Sequence, residues 1–288
     1  MAIRFIFLGT GTSSGIPAIG CACAVCSSPD PNDTRLRAAA AICFEDAEGF
    51  PRTVLIDAGP DLRQQSLRAQ LKRLDAILFT HNHVDHTFGL DEVRRFNAVQ
   101  KAPIAIYADD HTMGFLRRVY RHIFERDQNI NDSFVATLIP HTIAERVMEE
   151  GRSIDVFGLR VTPFRMLHGG LPILSYRFDL NEGLKSGGPS PFPLAYCTDV
   201  SGVPPGSWKH LEGLNTLVID ALRHRKHPTH FTLGQAIGVA ERVTPAMTYF
   251  THIAHEMGHA ETQETLPERM SLAWDGLVLS GGLHLTRS

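Results

Sequence analysis

The chain lacks what would carry it into a membrane or onto a long polyanion. Its longest uninterrupted apolar run, Ala38 to Phe44, falls far short of the ~20 residues a membrane helix needs. Positive charge is not in excess either: 28 Lys and Arg stand against 31 Asp and Glu, a net charge of −3. That balance excludes a strongly basic surface for gripping long nucleic acid. The N-terminus has no small-residue cleavage site; Ile3 to Leu8 reads as a first strand entering a glycine loop, and the expected compartment is the cytoplasm. No internal repeat, charge run or linker divides the sequence, so 1–288 is expected to form one domain. Cysteine is scarce, five in all, yet three crowd into Cys21-Ala22-Cys23-Ala24-Val25-Cys26. In a reducing compartment such a cluster suggests metal rather than disulfides. Histidine, by contrast, is abundant, with 15 unevenly placed residues.

What is present is alternation. Apolar runs at Ile3 to Leu8, Ala38 to Phe44, Thr53 to Asp57 and Ala76 to Thr80 have strand length and are bounded by Gly, Pro or charged residues. Leu62, Leu67, Leu71 and Leu74 predict a helix over Asp61 to Leu74, followed by a short helix over Leu90 to Asn97 and a strand over Ile104 to Tyr107. Asp109 to Arg126 carries Phe115, Leu116, Val119, Tyr120, Ile123 and Phe124 at helical spacing, the pattern of an amphipathic packing helix. Further strands are expected at Phe134 to Ile139, Leu159 to Met166, Ile173 to Phe178, Leu194 to Cys197, Thr216 to Asp220 and Met247 to Thr251. A helix is expected over Leu233 to Val243, a helix and two strands close the chain, and Asn181 to Pro193 reads as a loop. Such alternation predicts a layered α/β domain.

The strongest signal is Thr80-His81-Asn82-His83-Val84-Asp85-His86-Thr87, where a buried strand opens into a loop. His81 and His83, two apart in extended chain, can grip one ion, while Asp85 and His86 serve a second. Imidazole with carboxylate suits zinc, manganese or iron better than calcium or magnesium. A polar loop with ordinary surface histidines is the bland alternative, and three histidines and an aspartate within six residues count against it. The cluster resembles the H-x-H-x-D-H signature of the metallo-β-lactamase superfamily. The resemblance extends to His168, Asp199 and His252, each following a strand. It implies that His81, His83 and His168 hold one ion, that Asp85, His86 and His252 hold another, and that Asp199 bridges them. Asp57, at the end of Thr53 to Ile56, matches a strand-end aspartate that supports the metal loop from behind.

Three thiolates need a fourth ligand to close a tetrahedral zinc site; by itself C-x-C-x-x-C could equally be redox-active or three reduced loop cysteines. The glycine loop Gly9-Thr10-Gly11, with Gly15 and Pro17, the three cysteines, and Thr251-His252-Ile253-Ala254-His255 together resemble the phosphoribosyl 1,2-cyclic phosphate phosphodiesterases of the carbon–phosphorus lyase pathway. That resemblance implies one structural zinc held by Cys21, Cys23, Cys26 and His255, and places His230 where the leaving oxygen is protonated. The alternative for His230 is that it, or Thr229, merely begins the following helix. Cys43 and Cys197 read as core residues, and His224 and His227 as solvated loop residues.

The resemblance therefore implies a four-layer αβ/βα sandwich with the metals at the sheet edge. It implies a dinuclear enzyme, with two divalent ions (zinc or manganese), that opens a small phosphodiester, a cyclic ribosyl phosphate among the options. A hydroxide held between the ions would attack phosphorus, with His230 and Asp85 as the residues expected to act on the reaction. Two other readings share the motifs: a tRNA 3′-processing endoribonuclease, whose flexible basic arm is not evident here, and a cofactor-biosynthesis protein of the pyrroloquinoline quinone protein B type. Residues 20–27 form the zinc loop in this reading, and 108–151 and 181–193 are candidate active-site caps. No membrane or long nucleic-acid partner is expected. A homodimer is compatible with the sequence.

Overall fold

The computed structural model describes residues 2–130, 133–181, 184 and 190–281. Strands β1 (Arg4–Gly9), β2 (Ala39–Glu45), β3 (Pro51–Ile56), β4 (Ala76–Leu78), β5 (Ile104–Asp109) and β6 (Leu138–Ile143) build a first sheet. Strands β7 (Ile154–Val156), β8 (Leu159–His168), β9 (Leu171–Leu180), β10 (Leu194–Cys197), β11 (Thr216–Asp220), β12 (Met247–Thr251) and β13 (Met270–Leu272) build a second. The last strand, β14 (Val278–Ser280), returns to the first sheet. The orders are β14-β1-β2-β3-β4-β5-β6 and β13-β12-β11-β10-β9-β8-β7, so among the described residues each sheet has seven strands. Both are mixed: β3 to β6 run parallel, as do β10 to β13, beside antiparallel hairpins.

Period-two patterning explains the layers. Phe5 and Phe7, Ala40, Ile42 and Phe44, and Val54 and Ile56 face a central core shared with Tyr176, Phe178 and Tyr196 of the second sheet. Their neighbours Ile6, Leu8, Ala41, Cys43 and Leu55 face outward, against a second apolar layer. A third layer, holding Cys197, Ile219 and Phe250, lies behind the other sheet. Helices α1 (Leu62–Arg68), α2 (Val84–Thr87), α3 (Arg94–Gln100), α4 (Asp110–Val119), α5 (Arg121–Phe124), α6 (Glu145–Glu149), α7 (Leu233–Val243) and α8 (His259–Thr265) complete the chain. Leu62, Met113 and Leu116 join the second layer, and Leu233, Ala236 and Ala240 the third. This is the expected four-layer αβ/βα sandwich. Among the described residues no helix is long and apolar enough to cross a membrane.

Local expectations fail where a pattern outruns its packing. The helix expected over Asp61 to Leu74 stops at Arg68, because Leu67 points into solvent and Gln70 turns with φ of 50°. The helix over Asp109 to Arg126 breaks at Tyr120, whose hydroxyl donates to the Thr87 carbonyl at 2.9 Å. Leu90–Val93 is a 3-10 turn, with α3 following it. The strand expected at Phe134 to Ile139 lies four residues later, as β6, and Phe134 is exposed. The short strand β7 and a 3-10 segment at Pro205–Leu211 were not legible in the sequence. Within 108–151, α4 and α5 pack on the outer apolar layer and β6 pairs with β5. Of 181–193, residues 182, 183 and 185–189 lie outside the described residues.

Candidate metal centre

The parallel strands deliver chemistry at their C-terminal ends, as open α/β sheets generally do. Asp57 follows β3, His81 comes three residues after β4, Asp199 two after β10, and His252 directly after β12; Asp220 ends β11 and His168 ends β8. Asp57, Asp199 and His252 all turn in the left-handed region, with φ of 64°, 57° and 59°. Such backbone is costly for non-glycine residues and tends to gather at functional sites. Gly59 and Gly89 let the metal loop dock: a Cβ on Gly59 would come within 1.9 Å of the Asp85 carbonyl oxygen, and one on Gly89 within 2.0 Å of the Gly59 carbonyl oxygen.

Four overlapping donor sets converge there, two of them including His230: His168, Asp199 and His230, and Asp220, His230 and His252. His81, His83 and His168 offer ring nitrogens within 4.8 Å of one another, and so do the donor atoms of Asp85, His86, Asp199 and His252. The strands thus bring together all seven residues that the sequence singled out. Asp199 sits between, with His86 Nε2 at 3.2 Å and His252 Nε2 at 3.1 Å from its two oxygens. The imidazoles are oriented from behind. His86 Nδ1 donates to Asp57 Oδ2 at 2.7 Å, and His168 Nδ1 donates to the Thr229 carbonyl at 2.7 Å. His81 Nδ1 donates to Thr80 Oγ1 at 2.9 Å, which in turn donates to Asp57 Oδ2 at 2.8 Å. A bound Nδ1 proton leaves Nε2 as the free lone pair, the tautomer a metal takes.

The electrostatics are those of a site built around cations. Burial opposes a charge on His86, yet Asp199, Asp85 and Asp57 outweigh it and hold its pKa well above the usual value. Burial likewise opposes a charge on His252, but Asp199 and Asp220 lift it to about 9. His168, with burial dominant, falls to about 4. Asp199 is buried too, and the His252 and His86 imidazoles still hold it well below the carboxylate range. His81 Nε2, His86 Nε2 and both nitrogens of His252 are buried without a hydrogen-bond partner. Unsatisfied buried nitrogens are costly, and these all border acceptor oxygens or one another, so the donor set fits divalent cations.

His230 completes the constellation from the side. Its ring stacks on His252 at 4.7 Å and meets His168 edge-on at 4.6 Å. Its Nδ1 donates to Asp220 Oδ2 at 2.7 Å. The helix that follows is capped by Thr232, whose hydroxyl accepts from Gln235 N while the Gln235 side chain accepts from Thr232 N. His230 is therefore not needed to begin α7. Asp220 is the residue that sequence reading missed. It is fully buried, burial pushes its carboxyl pKa up, and it also accepts from Val200 N at 2.9 Å.

A separate cluster lies at the other end of the glycine loop. Cys21, Cys23, Cys26 and His255 offer donors within 4.8 Å of one another, all partly exposed. His255 Nδ1 is 3.3 Å from both Cys21 Sγ and Cys23 Sγ. The Cys26 backbone N–H and His255 lower the Cys23 thiol to about 6, whereas burial raises that of Cys26. Three sulfurs and one imidazole fit a tetrahedral zinc. The loop bearing His255 is held by Arg35, fully buried, which donates to the carbonyls of Ala254 at 3.2 Å and Met257 at 2.9 Å. Gly11 bridges to Ile253 beside it. Cys43 and Cys197 are buried in the two outer layers.

Comparison with known proteins points the same way. Residues 52–253 match the family model described as a beta-lactamase superfamily domain. A crystal structure of a diphosphatase from the PhnP family is 39% identical, with a TM-score of 0.81, covering 97% of this chain and 97% of that one. The zinc-bound PqqB structure from Methylobacterium extorquens is 20% identical with a TM-score of 0.71, over 96% of this chain and 99% of that one, a likeness of fold. An octanoyltransferase of Porphyromonas gingivalis is 32% identical over 96% of this chain, and the chain spans only 51% of that protein's length.

Proposed function

Because the chain belongs to the β-lactamase superfamily, among its PhnP-like phosphoester hydrolases, we propose that it cleaves a small phosphodiester, a cyclic ribosyl phosphate being the form its motifs resemble. What supports this reading is the clustering of His81, His83 and His168 beside Asp85, His86, Asp199 and His252, with His230 and Asp220 alongside them. His81, His83 and His168 would hold one divalent ion, and Asp85, His86 and His252 the other. When bound, such ions supply Lewis acidity towards phosphoryl oxygens and lower the pKa of a water.

The protein's own residues supply the rest. Asp57 fixes His86 and, through Thr80, His81, so the ligand nitrogens face the site before any ion arrives. His230 delivers a proton from Nε2 to the departing oxygen, and Asp220 at its Nδ1 compensates the charge that this proton brings. An alkoxide leaving group needs that proton. A diphosphate, the bond suggested by the diphosphatase relative, releases a phosphate that needs it far less, and the buried Asp220–His230 pair favours the ester. Octanoyl transfer belongs to a protein about twice as long and is not carried over. The cysteine cluster, in this reading, takes a structural zinc that ties residues 21–26 to the loop after β12.

Metal-reconstituted protein offered cyclic ribosyl phosphates, linear nitrophenyl diesters and dinucleoside diphosphates should turn over the diesters. Absence of hydrolysis of every phosphoester at full metal loading would sink the proposal.

A further inference from the structure

The loop Arg223-His224-Arg225-Lys226-His227 brings five basic residues to the side of the site. Two of them are committed elsewhere. Arg223 and Arg225 both pair with Glu256, and Arg223 also folds back on the carbonyl of Arg225 at 3.3 Å. His227 differs. The sequence reads it as a solvated loop residue, and the structure corrects this: it is partly buried, with its ring 5.1 Å from that of His230.

Its hydrogen bonding fixes its proton. Thr229 donates its backbone N–H to His227 Nδ1, with 3.3 Å between the nitrogens, and the Thr229 hydroxyl lies 3.1 Å from the same atom. A backbone N–H can only donate, so Nδ1 presents its lone pair and the imidazole carries its proton on Nε2. The Thr229 carbonyl, meanwhile, accepts from His168 Nδ1. The backbone of one residue thus sets two histidines in opposite tautomers: His168 with Nε2 bare, as a ligand requires, and His227 with Nε2 protonated, as a hydrogen-bond donor requires. Burial, with His230 and Arg223 beside it, lowers the His227 pKa and favours the neutral ring. Thr229 lies close against Gly169, where a Cβ would come within 2.8 Å of its Cγ2.

We infer that His227 is a substrate-binding residue that donates its Nε2–H to a phosphoryl oxygen of the bound phosphoester, beside His230. The inference rests on the phosphoester reading above. A neutral donor at this place adds affinity without competing for the metals and without a second proton to lose, a division of labour between two histidines three residues apart.

The test compares His227→Ala and His227→Gln with the unmodified, metal-loaded protein, using a nitrophenyl phosphodiester and inorganic phosphate as probes. Removing a hydrogen bond to a charged oxygen should raise KM and the phosphate inhibition constant by about 10- to 100-fold in His227→Ala, with kcat within about threefold. Gln places an N–H near the Nε2 position and should restore most of the loss. Nitrogen-15 spectra of the histidines should show His227 protonated at Nε2 and bare at Nδ1. Unchanged KM and phosphate affinity in His227→Ala, or the opposite tautomer, would overturn the assignment. Loss of metal that accounts for the whole defect would overturn it too, since His227 would then act through Thr229 and His168. If the unmodified protein hydrolyses no phosphoester, phosphate titration still decides: binding weakened by His227→Ala supports the assignment, and no binding at all ends both readings.

Discussion

Asp57 and Asp220 occupy equivalent places in the two sheets, and their difference shows how one device serves two ends. Each closes a buried strand with nearly the same sequence, Thr53-Val54-Leu55-Ile56-Asp57 and Thr216-Leu217-Val218-Ile219-Asp220. Each accepts a backbone N–H from beyond a neighbouring parallel strand, from Thr80 at 2.8 Å and from Val200 at 2.9 Å. Each accepts an imidazole Nδ1–H at 2.7 Å, from His86 and from His230. Burial raises both carboxyl pKa values. Beyond the imidazole they part. Asp57 has both oxygens engaged, and its histidine faces Asp85 and Asp199 across the metal site. Asp220 has Oδ1 without a partner among the described residues, and its histidine stacks on His252. The carboxylates are alike; in the proposed function, what stands on the far nitrogen decides whether the pair holds an ion or handles a proton.

The largest effect should come from Asp199, where the two halves meet. Asp199→Ala removes several kcal/mol of charge stabilisation, so turnover of a nitrophenyl diester should fall about a thousandfold while circular dichroism stays native. Near-normal turnover at full metal occupancy would remove the premise that both halves serve one centre. Next is His230→Ala. It should keep both active-site metals and lose about 10²–10⁴-fold on an alkyl or ribosyl cyclic phosphate, with a far smaller loss on a nitrophenyl diester. Equal losses on the two would make His230 a positioning group. The comparison itself is sharpened by Asp57→Asn and Asp220→Asn, each expected to cost about 10–100-fold. For Asp57→Asn the loss should follow metal affinity and touch both substrates; for Asp220→Asn it should fall on the poor leaving group. If the two variants lose metal equally, the distinction is wrong.

The smallest effect on activity is expected outside both pairs. Cys23→Ser should leave the turnover of folded protein within a few-fold but lower the Tm by about 10 °C, since a structural metal contributes several kcal/mol to folding. The thiols report the same site by pH. In metal-free protein Cys23, lowered to about 6, is the thiolate above that pH, so its alkylation should rise through pH about 6, while Cys26 should react only in alkaline solution. Rapid alkylation of all three in zinc-replete protein would contradict the structural-metal assignment.

The sequence disclosed the layers because alternation in Phe5 to Leu8 or Ala40 to Phe44 is set by burial on both faces. It disclosed the candidate ligands because His81, His83, Asp85 and His86 sit within six consecutive positions. Asp220 escaped because one aspartate after a buried strand looks like a terminator; the likeness of residues 216–220 to 53–57 was the available signal. His227 escaped because its environment comes from Thr229 and His230, whose arrangement depends on how the loop folds back. Arg35 was harder to see: beside its nearby partners Asn32 and Asp33, it donates to two carbonyls more than 200 residues away, and carbonyls leave no mark in side-chain composition.

The joining of Cys21 to His255 spans 234 positions, and that distance imposes an order on the protein's birth. At ordinary rates of synthesis the three thiols emerge roughly ten to fifty seconds before their imidazole. For that interval the nascent chain presents three sulfur donors and an open fourth position to whatever soft metal the cell offers. In the proposed reading, selection of the ion is then a matter of timing as much as geometry, complete only once the loop bearing His255 lies beside Gly11.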